Sequence, residues 1–230
     1  MELYGLQKLT VLDFPGHAAC TVFTGGCDFR CPFCHNYALA CKTEQKTITE
    51  DEFFEFLKTR TGKLDGVAIT GGEPCINKDL PEFLRKIKDL GFMAKLDTNG
   101  YHPQMLNKVI QANLVDYIAM DIKNAPDKYA ETAGVKHIDI EKINESIHLI
   151  MASNVDYEFR TTVVDELHNT ADIKAISKWI AGAKQYFLQA FVDRESVPNH
   201  NFHTPSVTKL NACLDSVSPR NIKNAFIRGI

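Results

Sequence analysis

Short apolar runs alternate along this chain with segments whose apolar positions recur at helical spacing. The runs Ala19–Phe23, Gly66–Thr70, Met93–Asp97, Tyr117–Asp121, Tyr157–Val164 and Tyr186–Phe191 predict strands. Between them, Thr49 followed by Glu52 is a capping-box pattern that opens a helix carrying Phe53, Phe56 and Leu57 inward. Ile140, Ile143, Ile147 and Ile150 recur at spacings of three and four, one apolar helical stripe that belongs to a core and is too short for a sustained coiled coil. Strand and helix alternate about six times, which implies a parallel sheet, because each strand must cross back over the sheet before the next one starts. The expected fold is therefore α/β, a partial (β/α)6 TIM-like barrel. Six units leave such a barrel incomplete, and a lateral gap suits a substrate that is itself a loop of protein.

In barrels of this kind the chemistry gathers at the C-terminal ends of the strands. The unusual polar motifs of this chain fall there. A cysteine-rich loop follows the first predicted strand, Thr70-Gly71-Gly72-Glu73-Pro74 ends the second, Asp97-Thr98-Asn99-Gly100 the third, and Asp121-Ile122-Lys123 the fourth. Lys123 is two residues beyond Asp121 and so shares its strand face.

The cysteine loop, TGGCDFRCPFCHN, places Cys27, Cys31 and Cys34 at intervals that let one tight loop aim three thiolates at one point. That suits an iron–sulfur cluster better than a disulfide pair. A four-iron cluster held by three cysteines leaves one iron open to a small molecule. Structural zinc takes four protein ligands, which Cys41 is able to complete; His35, the immediate neighbour of Cys34, is poorly placed to do so because adjacent side chains of an extended loop point apart. Buried thiols without metal are the third reading.

Composition narrows the class. A chain of 230 residues, 44% hydrophobic, can bury one substantial core, and one domain over residues 1–230 is the economical expectation. A net charge of −3 without a dense Lys/Arg run argues against a nucleic-acid surface. Seven cysteines, three in one loop, argue against a secreted disulfide framework and for a reducing, cytoplasmic compartment. No signal-like leader or membrane-length apolar stretch is present, so no membrane partner is expected. Cys20 and Cys213 read as small buried apolar residues, and inert packing is the better reading of Cys75 beside the GGEP motif.

The CxxxCxxC loop ending in CHN resembles the cluster loop of the radical S-adenosylmethionine (radical SAM) enzymes, in particular those that activate glycyl-radical enzymes. GLQKLTVLDFPG, AMDIKNAPDKYAETAG, YEFRTTVV and FLQAF are similar to the longer-chain type of anaerobic ribonucleoside-triphosphate reductase activating protein. The resemblance implies a [4Fe-4S] cluster on Cys27, Cys31 and Cys34, with S-adenosyl-L-methionine on its open iron. Gly71 and Gly72 would let backbone approach the methionine end, and Gly72 and Glu73 would hold its ammonium. Lys123 would meet its carboxylate with help from Arg160, for which a barrel-wall ion pair is the competing role. Phe33 would present backbone to the adenine or anchor the loop, and Asp97 and Asn99 complete the implied cofactor contacts. Asp97, Thr98 and Asp121 are implied ligands of a monovalent cation, against a plain role in receiving ribose hydroxyls or capping helices. The implied reaction takes one electron from flavodoxin or ferredoxin, cleaves the sulfonium to methionine and a 5′-deoxyadenosyl radical, and leaves a glycyl radical on a partner enzyme, with no catalytic triad or carboxylate pair required. Activation of a pyruvate formate-lyase type enzyme is the nearest alternative. A small-molecule radical enzyme such as 7-carboxy-7-deazaguanine synthase is another, although those proteins follow the third cysteine with an acidic residue where this chain has His35-Asn36. A non-enzymatic electron-transfer or zinc module would leave the other rim motifs unexplained.

Overall fold

The computed structural model describes residues 1–229. Eight strands form one sheet in sequence order: β1 (Leu3–Thr10), β2 (Ala19–Thr24), β3 (Gly66–Gly71), β4 (Met93–Thr98), β5 (Tyr117–Asp121), β6 (Asp156–Val163), β7 (Tyr186–Ala190) and β8 (Ala225–Arg228). β2 to β8 are mutually parallel, and β1 pairs antiparallel with β2. The helices are α1 (Tyr37–Ala40), α2 (Glu50–Lys58), α3 (Leu80–Asp89), α4 (Pro103–Gln111), α5 (Tyr129–Thr132), α6 (Ile140–Ala152), α7 (Thr170–Trp179) and α8 (Val207–Asp215). β1 and β8 are the two edges and do not pair with each other, so the barrel is open along one side.

Strand period separates two interiors. Alternate residues of the strands, such as Val67, Ile69, Leu96, Ile118, Met120 and Phe159, are fully buried with Leu84, Ile87, Val109, Ile143, Ile147 and Ile173 of the helices in one apolar core. The intervening residues face the barrel lumen and are polar: Lys95 and Asp97 of β4, Tyr117 and Asp121 of β5, Glu158 and Arg160 of β6. The capping box at Thr49 and Glu52 forms and buries Phe53 and Leu57, and Ile143, Ile147 and Ile150 are the buried stripe of α6. A second capping box, Asn169 with Asp172, opens α7. Cys20 and Cys213 are fully buried in β2 and α8, and Cys75 sits buried in a single 3-10 turn after the GGEP motif.

The six predicted strands all exist, and the sheet gains two that the sequence pattern hides. β1 carries Gln7 and Lys8 on an edge with three successive exposed residues, so it shows no sustained alternation. β8 has four residues, none of them fully buried, at the other edge. Its role is visible only in three dimensions. Arg228 reaches over the Phe187 ring, 3.9 Å from its centroid, and grips Glu158 with Nη1 to Oε1 at 2.8 Å and Nη2 to Oε2 at 2.9 Å. The Tyr117 hydroxyl donates to Glu158 Oε2 at 2.9 Å, so one carboxylate, 1% exposed, joins β5, β6 and β8. Replacing Glu158 by Gln leaves the half-buried guanidinium without its anion, and unfolding in urea is expected to show a loss of about 1–3 kcal/mol. An unchanged midpoint would contradict the clamp.

Candidate active site

The cysteine loop leaves β2 and is held on three sides. On the first, the Gly72 N–H donates to the Thr24 carbonyl at 2.9 Å and the Glu73 N–H to the Gly26 carbonyl at 2.8 Å. A Cβ on Gly72 would lie 2.0 Å from the Gly26 oxygen, so only glycine permits this approach. On the second, the Arg30 N–H donates to the Ala133 carbonyl at 2.9 Å. Gly134 there has φ +67°, and a Cβ on it would sit 2.1 Å from the Arg30 oxygen. On the third, His35 Nε2 hydrogen-bonds the Val192 carbonyl at 2.6 Å, with its ring stacked on Phe191 at 5.6 Å. The buried Phe33 ring meets Phe191 edge-on at 6.4 Å, so it anchors the loop while lining the cavity.

Cys27, Cys31 and Cys34 line one cavity of about 240 Å³ at the C-terminal rim of the strands. Burial pushes the Cys27 thiol up to about 12, that of Cys31 to about 11 and that of Cys34 above its ordinary value. Burial by itself thus favours the neutral thiol over the thiolate at each of the three. Two donors already favour charge on Cys27 sulfur: the Phe29 N–H at 3.4 Å and Asn99 Nδ2 at 3.7 Å. Cys41, at the end of α1, does not line this cavity. Among the described residues no three His, Cys, Asp or Glu side chains converge as a single metal ion requires. Three cavity-facing cysteines, with donors at one sulfur, fit a cluster with one iron left open.

Glu73 is 1% exposed. Its Oε1 accepts from the Cys75 N–H at 2.9 Å and the Thr98 hydroxyl at 2.8 Å, and its Oε2 accepts from the Asn99 N–H at 2.6 Å. One lone pair on Oε2 remains for anything bound in the cavity. Burial raises its pKa and these donors oppose the rise. The carboxylate thus ties the β3 loop to the β4 loop, and Asn99, whose Oδ1 accepts from the Tyr101 N–H at 2.9 Å, is held at three points beside Cys27.

The charged residues beyond them form a chain of ion pairs. Lys95 pairs with Asp97; Arg160 reaches Asp97 with Nη1 at 3.5 Å and Asp121 with Nε at 2.9 Å; Lys123 Nζ lies 3.0 Å from Asp121. Burial alone would raise the pKa of Asp121, but Arg160 and Lys123 outweigh it and hold it at about 2; Arg160 and Lys95 likewise keep Asp97 below its usual range. Lys123 is held above its ordinary value by Asp121 despite its burial. Three cations face two carboxylates. At the residues expected to hold a monovalent cation, Asp97 and Asp121 pair with Lys95, Arg160 and Lys123, and the Thr98 hydroxyl donates to Glu73. Arg160 takes the ion-pair role, and its surplus charge with Lys123 favours an incoming anion. Lys95 was not foreseen as part of this group, although its position two residues before Asp97 on one strand face is a legible signal.

The Radical SAM superfamily model matches residues 21–180, and the chain belongs to that family. It is 32% identical over 98% of its length, and 95% of the relative's, to a Methanocaldococcus jannaschii protein provisionally named a glycyl-radical enzyme activating enzyme. Pyruvate formate-lyase-activating enzyme of Clostridium pasteurianum is 27% identical over 55% of this chain and 54% of its own. Among solved structures, Streptococcus suis SuiB bound to its precursor peptide SuiA superposes with a TM-score of 0.72 at 13% identity over 91% of this chain and 48% of that one, a likeness of fold. The parallel sheet is that of the radical SAM fold, and the protein is an enzyme of that family.

Two substitutions test the geometry. Gly134→Ala forces a Cβ into a left-handed backbone and against Arg30, so anaerobically reconstituted protein is expected to retain less than half the iron of the parent while its circular dichroism is unchanged; full iron retention would show that the second support is dispensable. Glu73→Ala strands two buried N–H groups and is expected to lose about 2–4 kcal/mol of stability in urea, whereas a contact made only with a cofactor would leave the apoprotein's stability unchanged.

Proposed function

We propose that this chain is a radical SAM activase that generates a glycyl radical on a partner enzyme, anaerobic ribonucleoside-triphosphate reductase. The observation that carries the reading is the convergence, on one rim cavity, of three cysteines, a glycine-permitted backbone approach and a net positive ion-pair group, in a barrel open along one side. The relative from Methanocaldococcus jannaschii, similar over nearly the full length, supports the activase class. The motifs GLQKLTVLDFPG and KYAETAG support the choice of partner.

Cys27, Cys31 and Cys34 would hold the [4Fe-4S] cluster. Bound there and reduced by flavodoxin or ferredoxin, it would supply the one-electron chemistry that cleaves S-adenosyl-L-methionine and removes a hydrogen atom from a glycine α carbon of the partner. The work of the protein is orientation and exclusion of water. Lys123, backed by Arg160, would present positive charge to the methionine carboxylate, while the Gly72 backbone and the free lone pair of Glu73 would receive its ammonium. Asn99 and Asp97 stand along the same wall, and Phe33 closes the cavity on the loop side. Asp121, ionised down to about pH 2, keeps Lys123 and Arg160 aligned throughout the working range.

Anaerobic reconstitution is expected to give about four irons per chain, and the Cys31→Ala protein neither holds the cluster nor forms 5′-deoxyadenosine. Incubated with the reductase, the loaded parent should generate a doublet in electron paramagnetic resonance that collapses when the partner's glycine is α-deuterated. A doublet with a different glycyl-radical enzyme of the same genome and none with the reductase would replace the partner; no doublet with any of them would overturn the activase reading.

A further inference from the structure

Lys123 stands two residues past the end of β5, beyond the last register pair of that strand with β6, Asp121 opposite Arg160. A lysine side chain is long and rotamer-rich, so the place of its ammonium depends on how firmly its own peptide is held. Side chains from β6 and from the loop between β6 and α7 supply that hold. The Thr161 hydroxyl donates to the Ile122 carbonyl at 2.8 Å, and His168 Nε2 lies 2.8 Å from the Lys123 carbonyl. Asn124, fully buried, donates from Nδ2 to the Thr132 hydroxyl at 2.9 Å and to the Leu167 carbonyl at 3.1 Å.

His168 is 2% exposed and lies outside the lining of the cavity. The Val164 N–H donates to its Nδ1 at 3.1 Å, so the hydrogen of the neutral ring sits on Nε2 and points at the Lys123 carbonyl. Burial holds its pKa below the ordinary histidine value, which keeps the ring in that neutral form. The two nitrogens have separate tasks. Nδ1 closes the turn in which the Leu167 and His168 N–H groups donate to the Val164 carbonyl at 3.3 and 3.1 Å. Nε2 reaches out of that turn to the end of another strand.

We propose that His168 is a positioning residue: through Nε2 it fixes the Lys123 peptide, and so sets where the lysine ammonium stands between Asp121 and the cavity. Asp121 alone does not set that place, because an ion pair with a compact ammonium tolerates many directions, whereas a hydrogen bond to a carbonyl is directional. A histidine needed only for its own turn would be satisfied through Nδ1. This inference rests on the proposed contact of Lys123 with the methionine carboxylate and adds what aims the lysine.

The test has one arm without the cofactor and one with it. In the first, long-range proton–nitrogen correlation spectra of protein carrying isotopically labelled histidine, with His168 assigned by its absence from the His168→Gln spectrum, are expected to show a neutral ring protonated at Nε2. A ring protonated at Nδ1, or a charged one at neutral pH, would overturn the assignment. In the second, S-adenosylmethionine is titrated into reconstituted protein. An asparagine amide reaches the place of Nδ1 but not that of Nε2, and a glutamine amide reaches that of Nε2. His168→Asn is therefore expected to weaken the Kd about tenfold, and His168→Gln to stay within about threefold of the parent, both with the parent's iron content. In a Lys123→Ala background, His168→Asn should weaken the Kd no further. Parent-like binding by His168→Asn, equal weakening in both variants, lost iron in His168→Asn, or an undiminished effect in the Lys123→Ala background would each overturn the inference. Parent protein that holds its iron but binds no S-adenosylmethionine would overturn the proposed function, and this inference with it.

Discussion

The structure depends on how closely two backbone segments approach. The loop after β3 lies against the loop after β2 with carbonyl and N–H groups in direct contact, at a distance that a single Cβ on Gly72 would forbid. That contact sets the height of the cysteines on the rim. Glu73 then extends it sideways to β4, fixing Asn99 beside the Cys27 sulfur. The Ala133-Gly134 turn and the His35–Val192 contact hold the same loop from the far side, so its position is determined by protein alone. A loop fixed in this way presents three thiols in advance, and binding a cluster need not order it.

Electrostatics divide the labour across the lumen. Burying Lys95, Asp97, Asp121, Lys123 and Arg160 together is tolerable because each charge has an opposite neighbour, and the surplus of one cation gives the site its sign. Glu158 does the same for Arg228 near the open edge.

Much of this was legible in the chain. The strand ends could be read from apolar runs, and the rule that parallel barrels carry chemistry at those ends placed the cysteine loop, Gly72-Glu73, Asn99 and Lys123 on one rim before any coordinates. The edge strands were not legible, because an edge is half-buried and its residues need not alternate; β8 is too short to register at all. The mutual pairing of the rim charges was only half legible. Asp121 and Lys123 share a strand face, but Arg160 comes from the next strand, and its pairing with both carboxylates is visible in neither strand alone. Gly134 lay inside a recognised motif without a stated task, and its contact with Arg30 arises from tertiary packing that no local spacing encodes.

The central claim is that three cysteines hold a cluster whose fourth iron is open to the cofactor. Electron paramagnetic resonance of the reduced, reconstituted protein with and without S-adenosylmethionine tests it most directly. An open iron predicts that the g values of the reduced cluster shift when the cofactor is added, equally in the parent and in the Cys41→Ala protein. A spectrum that the cofactor leaves unchanged, or a signal lost on replacing Cys41, would mean that the protein itself supplies the fourth ligand, and would contradict the account.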